Sequence, residues 1–448
     1  MNRPKLCSMS RMELEAYQLQ KLAHLIEQIR PYNDFYARLW KHFPAEVSWD
    51  WFKQLPTFDK RDLVTHDHSI AATPTQRPPV QQSPLQQTSA LQATWLLSAN
   101  HTFSVDKYQR AHRTSGTSGR PMVVLDTQED WQWWLDTWQY VLDAAQVNST
   151  DRVFLAFSFG PFIGFWSAFE ACQQRGSLMI PGGGLNTLAR LELIRDSGAT
   201  IVGCTPSYAL HLAEVAEQHG WNLVDWNVRA IIVAGEPGGS VPSTKQRIEQ
   251  LWGATLIDHA GATEIGPWGF GASDGTGLHI IESEFIAEFL PKPEYGDGIS
   301  ELVLTNLGRV GCPVIRYRTG DLVKPQFADD SAAETNNACR FVKLMGGILG
   351  RADDMVIIRG VNIFPTSIEA VLRSFAEVDE FRIVLFRHGN LDQLKIEVEG
   401  EHADLQAIGV AVQLAVGLRI DVLRVATATL PRFEGKGKRI VDQRAIET

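Results

Sequence analysis

The apolar positions near the start of the chain follow the period of a helix. Leu22, Leu25 and Ile26 fall on one face, so residues 11–42 are predicted to be helical. Residues 71–92 differ, because they are rich in Pro, Gln, Ser and Thr and have no apolar period. Such a composition is typical of a loop or crossover rather than of a packed element.

From about residue 150 to residue 325, short apolar runs alternate with amphipathic stretches. The alternation predicts a parallel or mixed sheet covered by helices, which is an α/β fold. Glycines end the predicted helices, as helix C-termini prefer. The candidate strands are 152–157, 200–204, 230–233, 255–257 and 301–305, and the candidate helices are TLARLELIRDSG, SYALHLAEVAEQHG and STKQRIEQLWG.

The pattern changes again after a polar insert at residues 327–340. A short strand, MVIIRG, follows Asp354, and a helix is predicted to begin at Pro365, because the fixed φ of proline suits the first helical position. The strands FRIVLF, LKIEVEG and IDVLRVA, with one more helix, complete a small α+β unit. We therefore predict a large N-terminal domain over residues 1–353 and a small C-terminal domain over residues 354–448.

Composition and charge narrow the classes of function. The chain has 448 residues, 44% hydrophobic and 21% charged, as is typical of a globular protein of several domains. Its net charge of −10 argues against a nucleic-acid-binding surface. Five scattered cysteines without a CxxC pair favour a reducing compartment. With no apolar signal region and no run of ~18 apolar residues, we expect a cytoplasmic protein without a membrane span.

The segment RTSGTSGRP combines glycines, hydroxyl side chains and flanking cations. A glycine-rich backbone can turn its N–H groups inward and form a nest for anionic oxygens. The same composition is typical of a flexible linker, and the Gly-Lys-Ser/Thr run of a P-loop is missing. On composition alone, both interpretations stay open for Thr114, Ser115, Gly116, Thr117, Ser118 and Gly119.

Four later segments carry residues that could bind the same ligand. Glu264 follows a candidate strand in DHAGATEIG, where open α/β sheets bind ligands, and a carboxylate there could hold Mg²⁺ with substrate phosphates. Asp321, predicted to lie in a turn of RYRTGDLV, could accept hydrogen bonds from a ribose. GRADDMVIIRGVNIFP lies at the domain boundary, and Lys436 stands between two glycines in LPRFEGKGKRI. The alternatives are a solvated loop acid, an ordinary turn aspartate and a surface lysine.

Together these five blocks, in this order, resemble the adenylate-forming superfamily of acyl-CoA ligases, luciferase-like enzymes and peptide-synthetase adenylation domains. The likeness is greatest to the phenylacetate–CoA ligase family and covers about residues 20–448. Each motif is short, and their order and spacing make the resemblance specific. Besides TSGTSGRP and GRADDMVIIRGVNIFP, the segments LPTFDKRDLV, TPSYAL, GEP and GLHI also look like blocks of that family.

The resemblance implies an enzyme that uses ATP and Mg²⁺ to convert a carboxylic acid to an acyl-adenylate. The acyl group then passes to the thiol of coenzyme A or of a carrier protein's phosphopantetheine. Residues 114–119 would hold the β- and γ-phosphates, Glu264 would bind Mg²⁺ and Thr263 would lie beside the α-phosphate. The adenine site would consist of Gly235, Glu236, Pro237, Asp258, His259, Ala260 and Gly261.

The resemblance also assigns roles around the second domain. Asp321 would bind the ribose hydroxyls, and Arg351 would lie near the ribose and phosphate. Lys436 would reach from a mobile C-terminal domain to the charge that develops between carboxylate and α-phosphate, which makes it catalytic. Asp353 matches the hinge of that domain, and Gly360 would line the thiol tunnel.

The acyl pocket of the family corresponds to AFSFGPFIGFW. Phe157 and Phe162 would be its walls, which suggests an aromatic or otherwise flat apolar acid. Core packing is the alternative for both, because phenylalanine buries readily. In the helix that follows the phosphate loop, Trp131, Trp134 and Trp138 share one face, which is typical of core rather than of a ligand site.

The sequence departs from the family at several positions. Ala260 replaces the aromatic residue that lies against adenine, so stacking is lost or comes from another residue, with His259 as one candidate; the alternative is a hydrogen-bonded core or surface histidine. Some relatives carry a zinc site near the GLH block. Here His279 is present without a cysteine, which argues against zinc.

Several functions remain open at this stage. The leading hypothesis is an acid–thiol ligase that forms an acyl-CoA, and the second is an adenylating enzyme that loads a carrier protein or an amine. The third is a binding protein that has lost turnover. The oligomeric state is open, with a homodimer as one alternative. The chain has no GxSxG, HExxH or CxxC motif, which argues against a serine hydrolase, a zincin and a dithiol redox protein, respectively.

Overall fold

A computed structural model gives the fold of the chain. Three segments with sequence predictions lie wholly or mainly outside the described residues: the low-complexity stretch at 71–92, the phosphate loop after Thr114, and the polar insert. The residues described are 2–64, 97–114, 121–157, 159–328, 339–352, 354–358, 361–388, 391–433 and 439–444.

Helices occur throughout the described part of the chain. Their bounds are α1 (Arg3–Cys7), α2 (Arg11–Ile29), α3 (Asp34–Trp40), α4 (Trp49–Gln54), α5 (Lys60–Leu63), α6 (Gln128–Ala144), α7 (Ile163–Gln174), α8 (Thr187–Ser197), α9 (Pro206–Gln218), α10 (Pro242–Trp252), α11 (Pro365–Arg373) and α12 (Leu405–Val416).

Strands occur in both parts of the described chain. Those before residue 300 are β1 (Arg110–Arg113), β2 (Val123–Asp126), β3 (Arg152–Leu155), β4 (Leu178–Pro181), β5 (Ile201–Cys204), β6 (Ala230–Ala234), β7 (Thr255–Ala262), β8 (Gly266–Gly271), β9 (Gly277–Ile280) and β10 (Phe285–Pro291). The later ones are β11 (Ser300–Asn306), β12 (Tyr317–Gln326), β13 (Lys343–Arg351), β14 (Val356–Ile358), β15 (Val361–Ile363), β16 (Glu380–His388), β17 (Leu391–Glu399), β18 (Asp421–Arg424) and β19 (Ile440–Asp442).

The large unit is built on an 11-stranded sheet with the order β10-β11-β12-β13-β9-β8-β7-β6-β5-β3-β4. Strands β3 to β7 are parallel to their neighbours, as strands joined by crossover helices must be. From β7 to β10 the pairing is antiparallel. The predicted mixed α/β sheet covered by helices is confirmed, and the direction of pairing changes at β7.

The first predicted helix is wrong in extent. The structure has two helices, because Pro31 lacks an N–H group and Asn33 starts a new helix as its N-cap. The Asn33 side chain accepts from the backbone N–H of Tyr36 and donates to the carbonyl of Asn100 and the hydroxyl of Thr102. A buried side chain therefore fixes the break.

The small unit has its own sheet and its own core. Its four strands have the order β18-β17-β16-β19, and its core residues run from Ile358 to Ile420. The predicted strands and both predicted helices of this unit are confirmed. The boundary at Asp353, which lies outside the described residues, stays a prediction.

The tryptophan face of α6 is confirmed as core. Trp131, Trp134 and Trp138 are all at most 4% exposed, and they pack under the sheet together with Trp133. Within the described residues, the model contains no helix that is both long and apolar enough to span a membrane.

Candidate functional site

The carboxyl ends of the parallel strands β5, β6 and β7 meet at one edge of the large sheet. Glu236 follows β6, and its carboxylate accepts a hydrogen bond of 2.8 Å from the backbone N–H of Ser207, in the first turn of α9. The helix N-terminus favours this negative charge. Gly235, with φ of +98°, makes the turn between strand and carboxylate. The GEP segment is therefore anchored beside two strand ends.

A cavity of about 280 Å³ opens between the large and small units at this edge. Glu236 and Pro237 line it from the loop after β6, and Phe364 and Glu369 line it from the small unit. The ring of Phe364 lies 5.3 Å from that of Tyr295, which lines the same cavity. Predicted adenine-site residues thus border a space that both units enclose.

Glu264 lies in the turn after β7, where Ile265 N–H donates to the Ala262 carbonyl at 3.0 Å. Its Oε1 accepts a hydrogen bond of 3.2 Å from the hydroxyl of Tyr317 and lies 3.7 Å from the ammonium of Lys60. The Glu264 side chain is only 12% exposed. A partly shielded carboxylate is the type of ligand that a hard divalent cation prefers.

Lys60 is a site residue that the sequence analysis missed. It begins α5 in the block LPTFDKRDLV, which served only as part of the family resemblance. Phe58 pairs with the start of β12, since its N–H donates to the Arg316 carbonyl and its carbonyl accepts from Arg318 N–H. This pairing fixes the start of α5 beside Glu264, a contact between distant parts of the chain.

Asp321 and Arg351 lie directly opposite each other on β12 and β13. The guanidinium Nη1 lies 3.6 Å from the carboxylate Oδ1. The prediction of a turn at Asp321 is wrong, because the residue belongs to β12. The strand is irregular there: Gly320 has φ of +77°, and the register with β11 shifts at this point.

Asp258, in the middle of β7, accepts a hydrogen bond of 2.6 Å from the Ser240 hydroxyl. Burial of the carboxyl raises its pKa to about 6, and the Ser240 hydrogen bond opposes this rise. Gly239 is required nearby, because a Cβ there would collide with the carboxylate.

The raised pKa of Asp258 predicts a pH-dependent loss of stability. The unfolded carboxyl titrates near 3.8 and the folded one near 6, so its stabilising effect is complete below pH 4 and is lost as the pH rises through 6. Because the group is partly exposed, we expect Asp258→Asn to gain about 2 kcal/mol over the parent at pH 8 and little at pH 4.5. Urea unfolding at both pH values measures this.

A matched control is Asp196→Asn on α8, where the side chain is 65% exposed. It should give the same stability difference from the parent at both pH values. A gain for Asp258→Asn that is equal at pH 4.5 and pH 8 would contradict the raised pKa.

His259 is confirmed as a hydrogen-bonded core histidine. Its Nδ1 lies 2.8 Å from the Gly269 carbonyl, and its ring centroid lies 4.3 Å from that of Trp138. Burial lowers the pKa of His259 to about 4, so the ring is neutral and Nδ1 is the donor. The adjacent Ala260 is also buried, whereas Gly261 is exposed. A contact of His259 with adenine stays a prediction.

Thr114 closes the base of the predicted phosphate loop. Its backbone N–H donates to the Met122 carbonyl at 2.9 Å, and its hydroxyl accepts from Met122 N–H at 3.0 Å. The pairing continues the β1–β2 ladder by one residue pair. Five predicted loop residues and three other predicted site residues lie outside the described residues: Ser115, Gly116, Thr117, Ser118, Gly119, Asp353, Gly360 and Lys436.

The predicted acyl-pocket residues differ in environment. Phe157 is buried and stacks on Phe165 with ring centroids 4.1 Å apart, whereas Phe162 is 41% exposed at the start of α7. Phe159 packs against Trp166 in the same segment. An aromatic cluster therefore follows β3, and the assignment of Phe157 and Phe162 to an acyl pocket stays a prediction.

The described residues contain no group of three or more His, Cys, Asp or Glu side chains arranged to hold a metal ion. His279 instead has Nδ1 at 2.9 Å from the Phe341 carbonyl. This contact is a structural one between β9 and the segment before β13.

Comparisons with known proteins define the class and then the family. The model of the AMP-binding enzyme C-terminal domain matches residues 360–444. A crystal structure of 2-hydroxyisobutyryl-CoA ligase in the postadenylation state with an acyl-AMP superposes with a TM-score of 0.83 at 24% identity, covering 98% of this chain and 92% of that one. In its thioesterification state with coenzyme A, the same ligase gives 0.66 at 25% identity, covering 99% and 92%. The fold is therefore that of the acyl-CoA ligases.

Sequence comparison gives the family. The phenylacetate–coenzyme A ligase of Pseudomonas putida is 33% identical over 355 residues, which are 75% of this chain and 78% of that protein. The enzyme of the same name from Escherichia coli K12 is 33% identical over 368 residues, 77% of this chain and 82% of that protein. This chain belongs to the phenylacetate–coenzyme A ligase family, and it is an acid–thiol ligase of the AMP-forming class.

Proposed function

We propose that this protein activates an aromatic, phenylacetate-like acid with ATP and Mg²⁺ to an acyl-adenylate and transfers the acyl group to coenzyme A. The observation that carries the proposal is the convergence of Glu236, Glu264 and the Asp321–Arg351 pair on the large sheet. Glu236 and Glu264 follow neighbouring parallel strands at its carboxyl edge. Relatives with the name phenylacetate–coenzyme A ligase support the choice of acid and acceptor.

Each end of the nucleotide has a suitable partner in this arrangement. The GEP segment, Asp258 and the adjacent β7 residues would form the adenine site beside the cavity. Asp321 would accept hydrogen bonds from the ribose hydroxyls, and Arg351, already within 3.6 Å of that carboxylate, would contact the phosphate. Thr263 would lie beside the α-phosphate.

The donor set at Glu264 fits Mg²⁺. A hard divalent cation prefers carboxylate oxygen and phosphate, and Glu264 already faces the Lys60 ammonium. When bound, the ion would neutralise charge on the transferring phosphates. Lys60 would then be released from Glu264 and add its charge to the triphosphate. Residues 114–119 would hold the same phosphates, and Thr114 is fixed by its pairing with Met122.

The remaining roles rest on the resemblance and the family. Lys436 would stabilise the charge that develops during adenylation, and the small domain would turn about Asp353 between the two half-reactions. Gly360 would line the thiol tunnel. Phe157 and Phe162 would form walls of the acid pocket, and the aromatic cluster after β3 supports an aromatic acid.

Pyrophosphate release with ATP and Mg²⁺ tests this function. A panel of aryl, arylacetic and aliphatic acids is assayed with and without coenzyme A. We expect release that depends on the acid, is fastest with an arylacetic acid and rises when coenzyme A is added. Release that coenzyme A leaves unchanged would favour a carrier protein or amine as acceptor. No release with any acid, despite ATP binding, would contradict the proposed catalysis.

A further inference from the structure

The turn that carries Glu264 is fixed from behind by two buried side chains. Arg309 Nη1 donates to the Thr263 carbonyl at 2.7 Å, and Asn306 Nδ2 donates to the Ile265 carbonyl at 2.9 Å. Neither Arg309 nor Asn306 is exposed. The carbonyls on both sides of Glu264 are thus held by donors from one segment, at the end of β11.

Arg309 is itself held by a buried carboxylate. Its Nε donates to Asp126 Oδ1 at 2.8 Å, and Trp134 Nε1 donates to the same oxygen at 3.2 Å. Burial lowers the pKa of Arg309, but Asp126 and Asp130 outweigh this effect and hold it above its ordinary value. The guanidinium therefore stays charged and lies over the Trp134 ring, 5.3 Å from its centroid.

The backbone beside Arg309 is fixed by the next carboxylate along the chain. Asp130, in the first turn of α6, accepts from Val310 N–H at 2.7 Å and from Gly311 N–H at 3.0 Å. A Cβ at Gly311 would collide with this carboxylate. Asp126 and Asp130 together leave the Arg309 segment little freedom.

This network ends at the turn that carries Glu264, because Thr263, whose carbonyl Arg309 holds, immediately precedes that residue. We propose that Arg309 is a positioning residue that fixes the turn of the Glu264 carboxylate and so determines metal affinity. This inference rests on the proposed function, because it takes Glu264 as the Mg²⁺ ligand.

Stability alone does not account for a fully buried ion pair at this position. A buried pair costs desolvation, and apolar residues of similar volume often serve the fold as well. The planar guanidinium can hold a carboxylate and a carbonyl at once in fixed directions, which a lysine ammonium cannot reproduce. The Asp126–Arg309 pair is therefore better explained by the exact position of the Glu264 turn than by stabilisation of the core.

The test compares Arg309→Lys with the parent by metal binding as well as by rate. Mn²⁺ affinity is measured by electron paramagnetic resonance with α,β-methylene-ATP, which cannot transfer its adenylyl group, and the Mg²⁺ dependence of pyrophosphate release is measured with ATP. We expect the Mn²⁺ dissociation constant and the half-saturating Mg²⁺ concentration both to rise about tenfold. Asn306→Ala, which removes the second carbonyl contact, should shift both in the same direction by less.

Arg229→Lys is the matched control. Arg229 pairs with Asp151 and donates to the Ala145 carbonyl, but it lies at the amino end of β6. It should lower the melting temperature without changing either metal constant. The inference would be overturned if the Mn²⁺ dissociation constant and the half-saturating Mg²⁺ concentration were unchanged in a folded Arg309→Lys variant. If that variant does not fold, Asn306→Ala takes its place in the same comparison. An equal shift of both constants in Arg229→Lys would also overturn the inference. A parent without acid-dependent release would instead overturn the proposed function.

Discussion

Lys436→Ala should lower the rate of acid-dependent pyrophosphate release by about 10²–10³-fold, equivalent to ~3–4 kcal/mol of transition-state stabilisation. The reason is that negative charge develops between the attacking carboxylate and the α-phosphate, and the lysine would supply the compensating charge. Thioester formation from chemically prepared acyl-adenylate and coenzyme A should change far less, because that step does not form this charge. Single-turnover assays of each half-reaction separate the two effects.

Lys438→Ala is the control for this prediction. It removes the same positive charge two residues further along the same glycine-rich segment. If the loss of a positive charge in this segment were enough to slow adenylation, both variants would be slow. We expect it to keep most of the adenylation rate. Pyrophosphate release that is unchanged in Lys436→Ala, or equally slow in both variants, would contradict the catalytic assignment of Lys436.

The sequence predicted the parallel half of the fold better than the antiparallel half. Strands β3, β5 and β6 are short runs of buried aliphatic residues between amphipathic helices, so local pattern was sufficient. Strands β8, β9 and β12 are rich in glycine or in charged residues and are defined by their partners. Asp321 was therefore assigned to a turn, although its register opposite Arg351 depends on a strand 30 residues away.

The candidate site, too, could be predicted from the sequence only where its residues belong to local motifs. Glu264, Asp321 and the GEP segment carry recognisable motifs, and the structure brings Glu236 and Glu264 to one edge of the sheet. Arg309 and Asn306 have no motif, and the block that contains Lys60 did not mark it as a site residue, because their partners are a carboxylate and two carbonyls from distant parts of the chain. Only the folded chain brings these groups together.

Glu264→Gln should reduce the adenylation rate by about a hundredfold or more at moderate Mg²⁺, since the metal supplies several kcal/mol of charge stabilisation. The amide has nearly the same shape and keeps an oxygen that can accept from Tyr317. It loses the charge that binds the metal and faces Lys60. We therefore expect partial recovery at high Mg²⁺ and a melting temperature close to that of the parent, because the amide keeps the hydrogen bond from Tyr317.

Glu288→Gln is the matched control for Glu264→Gln, because Glu288 is a partly buried carboxylate that pairs with Arg316 at 2.8 Å on β10. It should lower stability more than Glu264→Gln, since it breaks a two-point contact with a guanidinium, and it should keep the Mg²⁺ dependence of the parent. Pyrophosphate release measured over a wide range of Mg²⁺ distinguishes the two variants. If Glu264→Gln retained the parent's rate and half-saturating Mg²⁺, the metal would have to be held by other groups, and the Arg309 network would then serve the fold alone.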